Sequence, residues 1–214
     1  MAAVSETIVR EYFELHGFLV QQRRKFVTPT RREEEEVDFL VYNPHAREPA
    51  ADLPFTLGSN DLERISRAVV VVKGWHTETF GPGMLASSPE IFRSVTPSAF
   101  KQAAKALGGD GSLVKILVVP ALPHGAEARE KSIQLLRSKG IDCVIPFRTM
   151  LADLVDRIEV NRNYQKADLL QIIRILKNYD FLKGPQLDLF KPKRKRKSSA
   201  GKSGHAADIG KAST

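Results

Sequence analysis

The chain of 214 residues has a single cysteine, a single tryptophan and few aromatics. It has no apolar run of membrane-spanning length. One cysteine, Cys143, excludes an internal disulfide framework. It lies in the apolar run Ile141 to Phe147, which predicts a buried structural thiol. The amino terminus has no basic start followed by an apolar core, so it does not read as a secretory leader. A reducing, cytosolic setting near the nucleoid, with no membrane partner, is expected. Zinc-ligand spacing, a phosphate-binding Gly-Lys loop, a dinucleotide Gly motif and a nucleophile elbow are all missing. Gly81-Pro82-Gly83 reads as a turn, and Gly108 to Gly111 stands between a helix and a strand, the wrong order for a phosphate cradle. No internal repeat is visible.

What is present begins with charge. The net +8 is concentrated at the carboxyl end, because residues 191–214 hold eight Lys or Arg and one acid. That leaves about +1 for everything before. A basic surface on the body would therefore have to come from clustering. The 42% hydrophobic content is enough for a core.

Apolar periodicity predicts a helix over Val4–His16, stopped by Gly17, and strands over Phe18–Val27 and Val37–Tyr42. Arg31–Glu36 is a charged turn. Residues 44–66 and 74–97 are proline-bearing and irregular. Ala68–Val72 is almost wholly β-branched and reads as a buried central strand. A helix over Ser98–Leu107 precedes a strand-helix-strand unit: Leu113–Val119, Ala126–Lys139 and Ile141–Pro146, with the two strands parallel. Helices over Thr149–Glu159 and Ala167–Leu182 follow, the second closed by Gly184-Pro185. The class is α/β, with a mixed sheet flanked by helices. The expected organisation is a domain over 1–160, a packed helical segment over 161–184, a docking peptide over 185–190 and a disordered basic tail over 191–214.

Two constellations carry chemistry. The first is Glu6 on the opening helix, Glu36-Val37-Asp38-Phe39-Leu40 on a strand, and Val70-Val71-Val72-Lys73-Gly74-Trp75 at the end of a later one. Their order and spacing resemble the PD-(D/E)XK nuclease superfamily, which implies a restriction-endonuclease-like fold. The resemblance makes Asp38 a metal ligand and Lys73 the cation that positions the attacking water. The implied cofactor, if the site is catalytic, is Mg²⁺ or Mn²⁺, which needs at least two hard oxygen ligands. The motif's second acid belongs at position 71, where this chain has Val71. Glu36 and Glu6 are candidate substitutes, and His76 or Glu78 could reach in from the next loop. Trp75 and His76 read either as an edge-packed Trp with an exposed His or as the rim of a nucleic-acid groove.

The second constellation is Gln186-Leu187-Asp188-Leu189-Phe190. It resembles the peptide Gln-Leu-Ser/Asp-Leu-Phe by which bacterial polymerases and repair proteins bind the replicative sliding clamp, and all five positions match. Chance agreement is on the order of one in a thousand or less. The resemblance gives Leu189 and Phe190 an apolar pocket, Gln186 a hydrogen bond at its edge, and Leu187 added contact. The competing reading folds these side chains back on the last helix. Lys191, Lys193, Arg194, Lys195, Arg196 and Lys197 follow directly and suit phosphates without sequence preference. The expectation is a DNA-associated replication or repair protein that is weakly catalytic or non-catalytic. The alternatives are a metal-dependent endonuclease with a relocated acid, and a nucleic-acid scaffold with no clamp link.

Overall fold

A computed structural model describes residues 2–22, 37–47, 53–92, 95–107 and 113–182. Among the described residues, five strands form one mixed sheet in the order β1-β2-β3-β4-β5: Leu19–Gln22, Phe39–Tyr42, Arg67–Val72, Val114–Val119 and Cys143–Pro146. β1 pairs antiparallel with β2 and β2 with β3, while β3, β4 and β5 run parallel. Six α-helices are described: α1 Ala2–Leu15, α2 Pro82–Ser87, α3 Pro97–Ala106, α4 Ala126–Ser138, α5 Phe147–Arg157 and α6 Asp168–Asn178. None is long and apolar enough to cross a membrane.

The sheet separates two apolar layers. Alternation along β3 sends Ala68 and Val70 to one face and Val69 and Val71 to the other. The first face packs against α1, α5 and α6 through Val9, Phe13, Met150, Leu154, Leu170 and Ile173. The second packs against α2, α3 and α4 through Leu85, Phe100, Ala103 and Leu136. Cys143 is buried in the first layer, and burial pushes its thiol up to about 11, in keeping with an inert structural role.

Several boundaries differ from the sequence expectation. Gly81-Pro82-Gly83 is not a free-standing turn: Gly81 caps α2 and Pro82 is its first residue, where the missing N–H costs nothing. The irregular 44–66 stretch contains a 3₁₀ segment, Ser59–Arg64, held by the Gly58 N–H donating to Asp61 Oδ2 at 2.8 Å. A second 3₁₀ segment spans Pro89–Phe92. Residues 55–57 run beside β5, with Val144 N–H on Phe55 O at 2.7 Å and Leu57 N–H on Val144 O at 2.9 Å.

α6 stops at Asn178, well before Gly184-Pro185. Its end is a Schellman motif: Phe181 N–H donates to Leu176 O at 2.9 Å and Asp180 N–H to Lys177 O at 3.1 Å. The same pattern ends α1, with Phe18 on Phe13 and Gly17 on Glu14, and α4, with Ile141 on Leu136 and Gly140 on Arg137. Each requires a left-handed residue. Gly17 (φ 80°) and Gly140 (φ 82°) supply it without strain, while at α6 the residue is Asp180 (φ 60°).

Asp180→Gly should therefore stabilise the protein by roughly 0.5–1 kcal/mol, and Gly17→Ala should destabilise it by about 1 kcal/mol. Urea denaturation of the three proteins checks both signs. A destabilised D180G would mean that the Asp180 side chain contributes more than its backbone conformation costs.

Candidate functional site

The Asp38 and Lys73 positions come together at the end of β3. Asp38 immediately precedes β2 and is only 8% exposed. Its N–H donates to Val70 O at 3.1 Å, and its Oδ2 accepts the Val72 N–H at 2.7 Å. The carboxylate thus satisfies a backbone donor on the neighbouring strand, one residue from Lys73. Lys73 N–H donates to Val118 O at 3.0 Å, holding the end of β3 against β4. Its half-buried Nζ reaches the Glu90 carbonyl at 3.4 Å, across to the Pro89–Phe92 segment.

Val71 is 1% exposed and belongs to the layer that contains Phe80, Leu85 and Ile91. That environment is apolar, so an ionised ligand would be strongly disfavoured there. Glu6, on α1, has its Oε2 accepting Gln22 Nε2–H at 2.8 Å, a contact that fastens α1 to β1. Glu36 lies outside the described residues, as do Gln186 to Phe190 and the basic residues after them. Among the described residues, no group of three or more His, Cys, Asp or Glu could hold a metal ion. One carboxylate already bonded to a backbone N–H does not fit the donor set that Mg²⁺ requires.

The loop after Lys73 is anchored rather than free to swing. Trp75 is partly buried and meets Phe80 edge-on, with centroids 6.1 Å apart. His76 is exposed, yet its Nε2 lies 2.9 Å from Ser5 Oγ and its ring 4.5 Å from Phe147. Gly74 permits this closeness, because a Cβ there would fall 2.2 Å from Ser5 Oγ. Ser5 is fully buried, so its pairing with His76 is a fastening of α1 to the loop and not an accessible nucleophile. Trp75, Thr77, Glu78, Met84 and Ser88 line an open cleft of about 400 Å³ beside it.

A second polar cluster escaped the sequence reading. His16 Nε2 lies 2.9 Å from Asp153 Oδ2, and Arg157 Nε 3.0 Å from the same oxygen. Tyr12 lies with its ring 4.8 Å from that of His16 and its hydroxyl 3.0 Å from Ser59 Oγ. Burial pushes the Tyr12 hydroxyl up to about 12, against the bond from Ser59. Burial also lowers His16, against the opposing pull of Asp153. For Asp153 burial alone acts upward, but the hydrogen bonds from His16 and Arg157 outweigh it and the net shift is downward. Asp153 is therefore ionised at neutral pH, and Nε2 of a neutral His16 carries the proton it donates. The cluster ties α1 to α5 and to the Ser59–Arg64 segment. A 137-residue separation between His16 and Asp153 leaves no local sequence signal for it.

Two measurements follow from these assignments. Asp38→Ala leaves the Val72 N–H without its partner and should cost about 1–3 kcal/mol, with Asp38→Asn recovering most of it. A carboxylate held in reserve for a metal would instead be neutral or stabilising to remove. For His16, the unfolded imidazole takes up a proton near its ordinary 6.5 and the folded one only at lower pH. Stability present above 6.5 should thus fall as pH drops below it, with Asp153 adding a further loss below its ordinary 3.8. Urea midpoints of the wild type should decline between pH 7 and 5, and those of His16→Gln should be flatter. Parallel profiles would remove His16 as the titrating group.

Comparison with family models, with curated proteins and with solved structures finds no match.

Proposed function

We propose that the chain is a DNA-associated protein of replication or repair, recruited by the bacterial sliding clamp through Gln186-Leu187-Asp188-Leu189-Phe190. Its body is a restriction-endonuclease-like scaffold that binds rather than cuts. The observation that carries the recruitment is the five-for-five match of the peptide, followed at once by a run of Lys and Arg. A clamp encircles DNA, so a basic run beside the peptide raises the effective concentration of each weak contact for the other. The fold reading is supported by element order: an opening helix bearing Glu6, a strand entered at Asp38, and a later strand ending at Lys73. The non-catalytic reading is supported by Val71 in the apolar layer and by the Asp38 carboxylate bonded to β3.

The endonuclease reading is favoured by one observation, the adjacency of Asp38 and Lys73 at the same strand end. Both readings meet in one pair of assays. Leu189 and Phe190 each contribute about 1.5–3 kcal/mol when buried, so L189A/F190A should weaken clamp binding at least about tenfold. Equal affinity of variant and wild type, or none in either, overturns recruitment. With nicked, branched and single-stranded DNA plus Mg²⁺ or Mn²⁺, no cleavage is expected. Cleavage abolished by Asp38→Ala and by Lys73→Ala would make the protein a nuclease.

A further inference from the structure

We infer that the face formed by α3, the start of β4 and the end of α4 is a contact surface for the phosphate backbone of duplex DNA. The inference rests on the DNA-associated reading above and assigns that contact to named residues of the body. These elements carry five cations: Lys101 and Lys105 on α3, Lys115 on β4, and Arg137 and Lys139 at the end of α4. Ala99, Phe100 and Ala103 turn inward to the apolar layer, which leaves Lys101 and Lys105 exposed and one helical turn apart. Three of the cations stand over aromatic rings: Lys115 Nζ 4.8 Å from the Phe100 centroid, Lys139 Nζ 5.6 Å from Phe92, and Arg137 Cζ 5.0 Å from Phe55. These seats restrict the side chains without neutralising them.

All five also lack a salt-bridge partner among the described residues, whereas Arg10, Arg47, Arg64, Lys131, Arg157 and Arg162 each have one. α3 contains no acid at all. Among the described residues, Asp142 Oδ2 accepts the Lys115 backbone N–H at 2.8 Å, and Glu90 stands on the segment that carries Phe92. Cations spread over three elements, and exposed rather than gathered into a pocket, suit an extended polyanion better than one small anion. A duplex carries one charge per roughly 1.7 Å of axis, so cations at helical-turn spacing meet phosphates in any register. The near-neutral total of the body does not show this grouping, because several of its acids lie on other elements, α1 and α5 among them.

The test uses the full chain, so that the carboxyl-terminal cations contribute equally to every variant. Binding of a fluorescent duplex is titrated across salt concentrations for wild type, for Lys101→Gln/Lys105→Gln/Lys139→Gln, and for a control, Arg47→Gln/Lys131→Gln/Arg162→Gln, in which the lost charges were paired. Each lost phosphate contact lowers the salt slope by about 0.9, so the first triple variant should lose about 2–3 and the control less than 1. Unfolding midpoints confirm that both remain folded. An unchanged slope in the first variant, or equal losses in both, overturns the inference. So does a loss confined to vesicles containing an anionic phospholipid, which would assign the face to a membrane. Clamp titration in parallel separates the two proposals: a normal clamp affinity with an unchanged DNA slope removes only this surface. Absence of DNA binding in the wild type removes both the surface and the DNA-associated reading.

Discussion

β3 is buried on both faces, and that constraint governs what the neighbouring positions can be. It lies in the middle of the sheet, antiparallel to β2 and parallel to β4, with one apolar layer on each side. Ala68 and Val70 serve one layer, and Val69 and Val71 the other. The positions from Ala68 to Val71 are buried among apolar side chains, so charged chemistry is displaced to the ends of the strand. Asp38 and Lys73 sit where that displacement requires. One enters β2 and caps a β3 donor; the other leaves β3 and is held by β4 through its backbone. Val71 is thus the residue that a doubly covered strand selects, and the cost of a carboxylate there is a property of the whole sheet.

The helices on the two faces are fixed differently. On the α1 side, polar contacts supplement packing: His16 with Asp153, Tyr12 with Ser59, and Lys177 Nζ donating to Val155 O at 2.8 Å and Ile158 O at 2.6 Å. The Lys177 contacts satisfy carbonyls at the end of α5 with a charge of the favourable sign for that end of a helix dipole. On the α3 and α4 side, cations rest on aromatic rings and few acids answer them. One face spends its charges on internal cohesion, and the other leaves them directed outward.

Legibility in the sequence followed the range of the interactions involved. β3 was readable from its β-branched run, and the β4-α4-β5 unit from two apolar strands around a periodic helix. The class and mixed character of the sheet followed from that order. α2 and the two 3₁₀ segments were not readable, because elements of four to six residues have too few turns to show a period. The end of α6 was misplaced because glycine is the usual left-handed residue and Asp180 gives no such signal. At the site, Asp38, Lys73 and the apolar character of Val71 could be read from spacing and strand alternation. The capture of Asp38 by Val72 N–H could not, since a backbone donor left over at a strand end leaves no trace in residue type. Neither could the fastening of His76 by Ser5, which joins residues 71 positions apart.

The segment 55–57 that runs beside β5 has a meaning beyond local packing. A sheet with a bare border can recruit strands from other molecules and grow without limit, provided both borders are available. Here Phe55 and Leu57 occupy the hydrogen-bonding groups of Val144, so the β5 border is capped by the chain itself. Strand-by-strand growth is left with one direction at most, and pairing through a single border ends with two molecules. The fold therefore carries its own chain terminator against fibre formation, placed in a proline-bearing stretch that the sequence presents as mere connection.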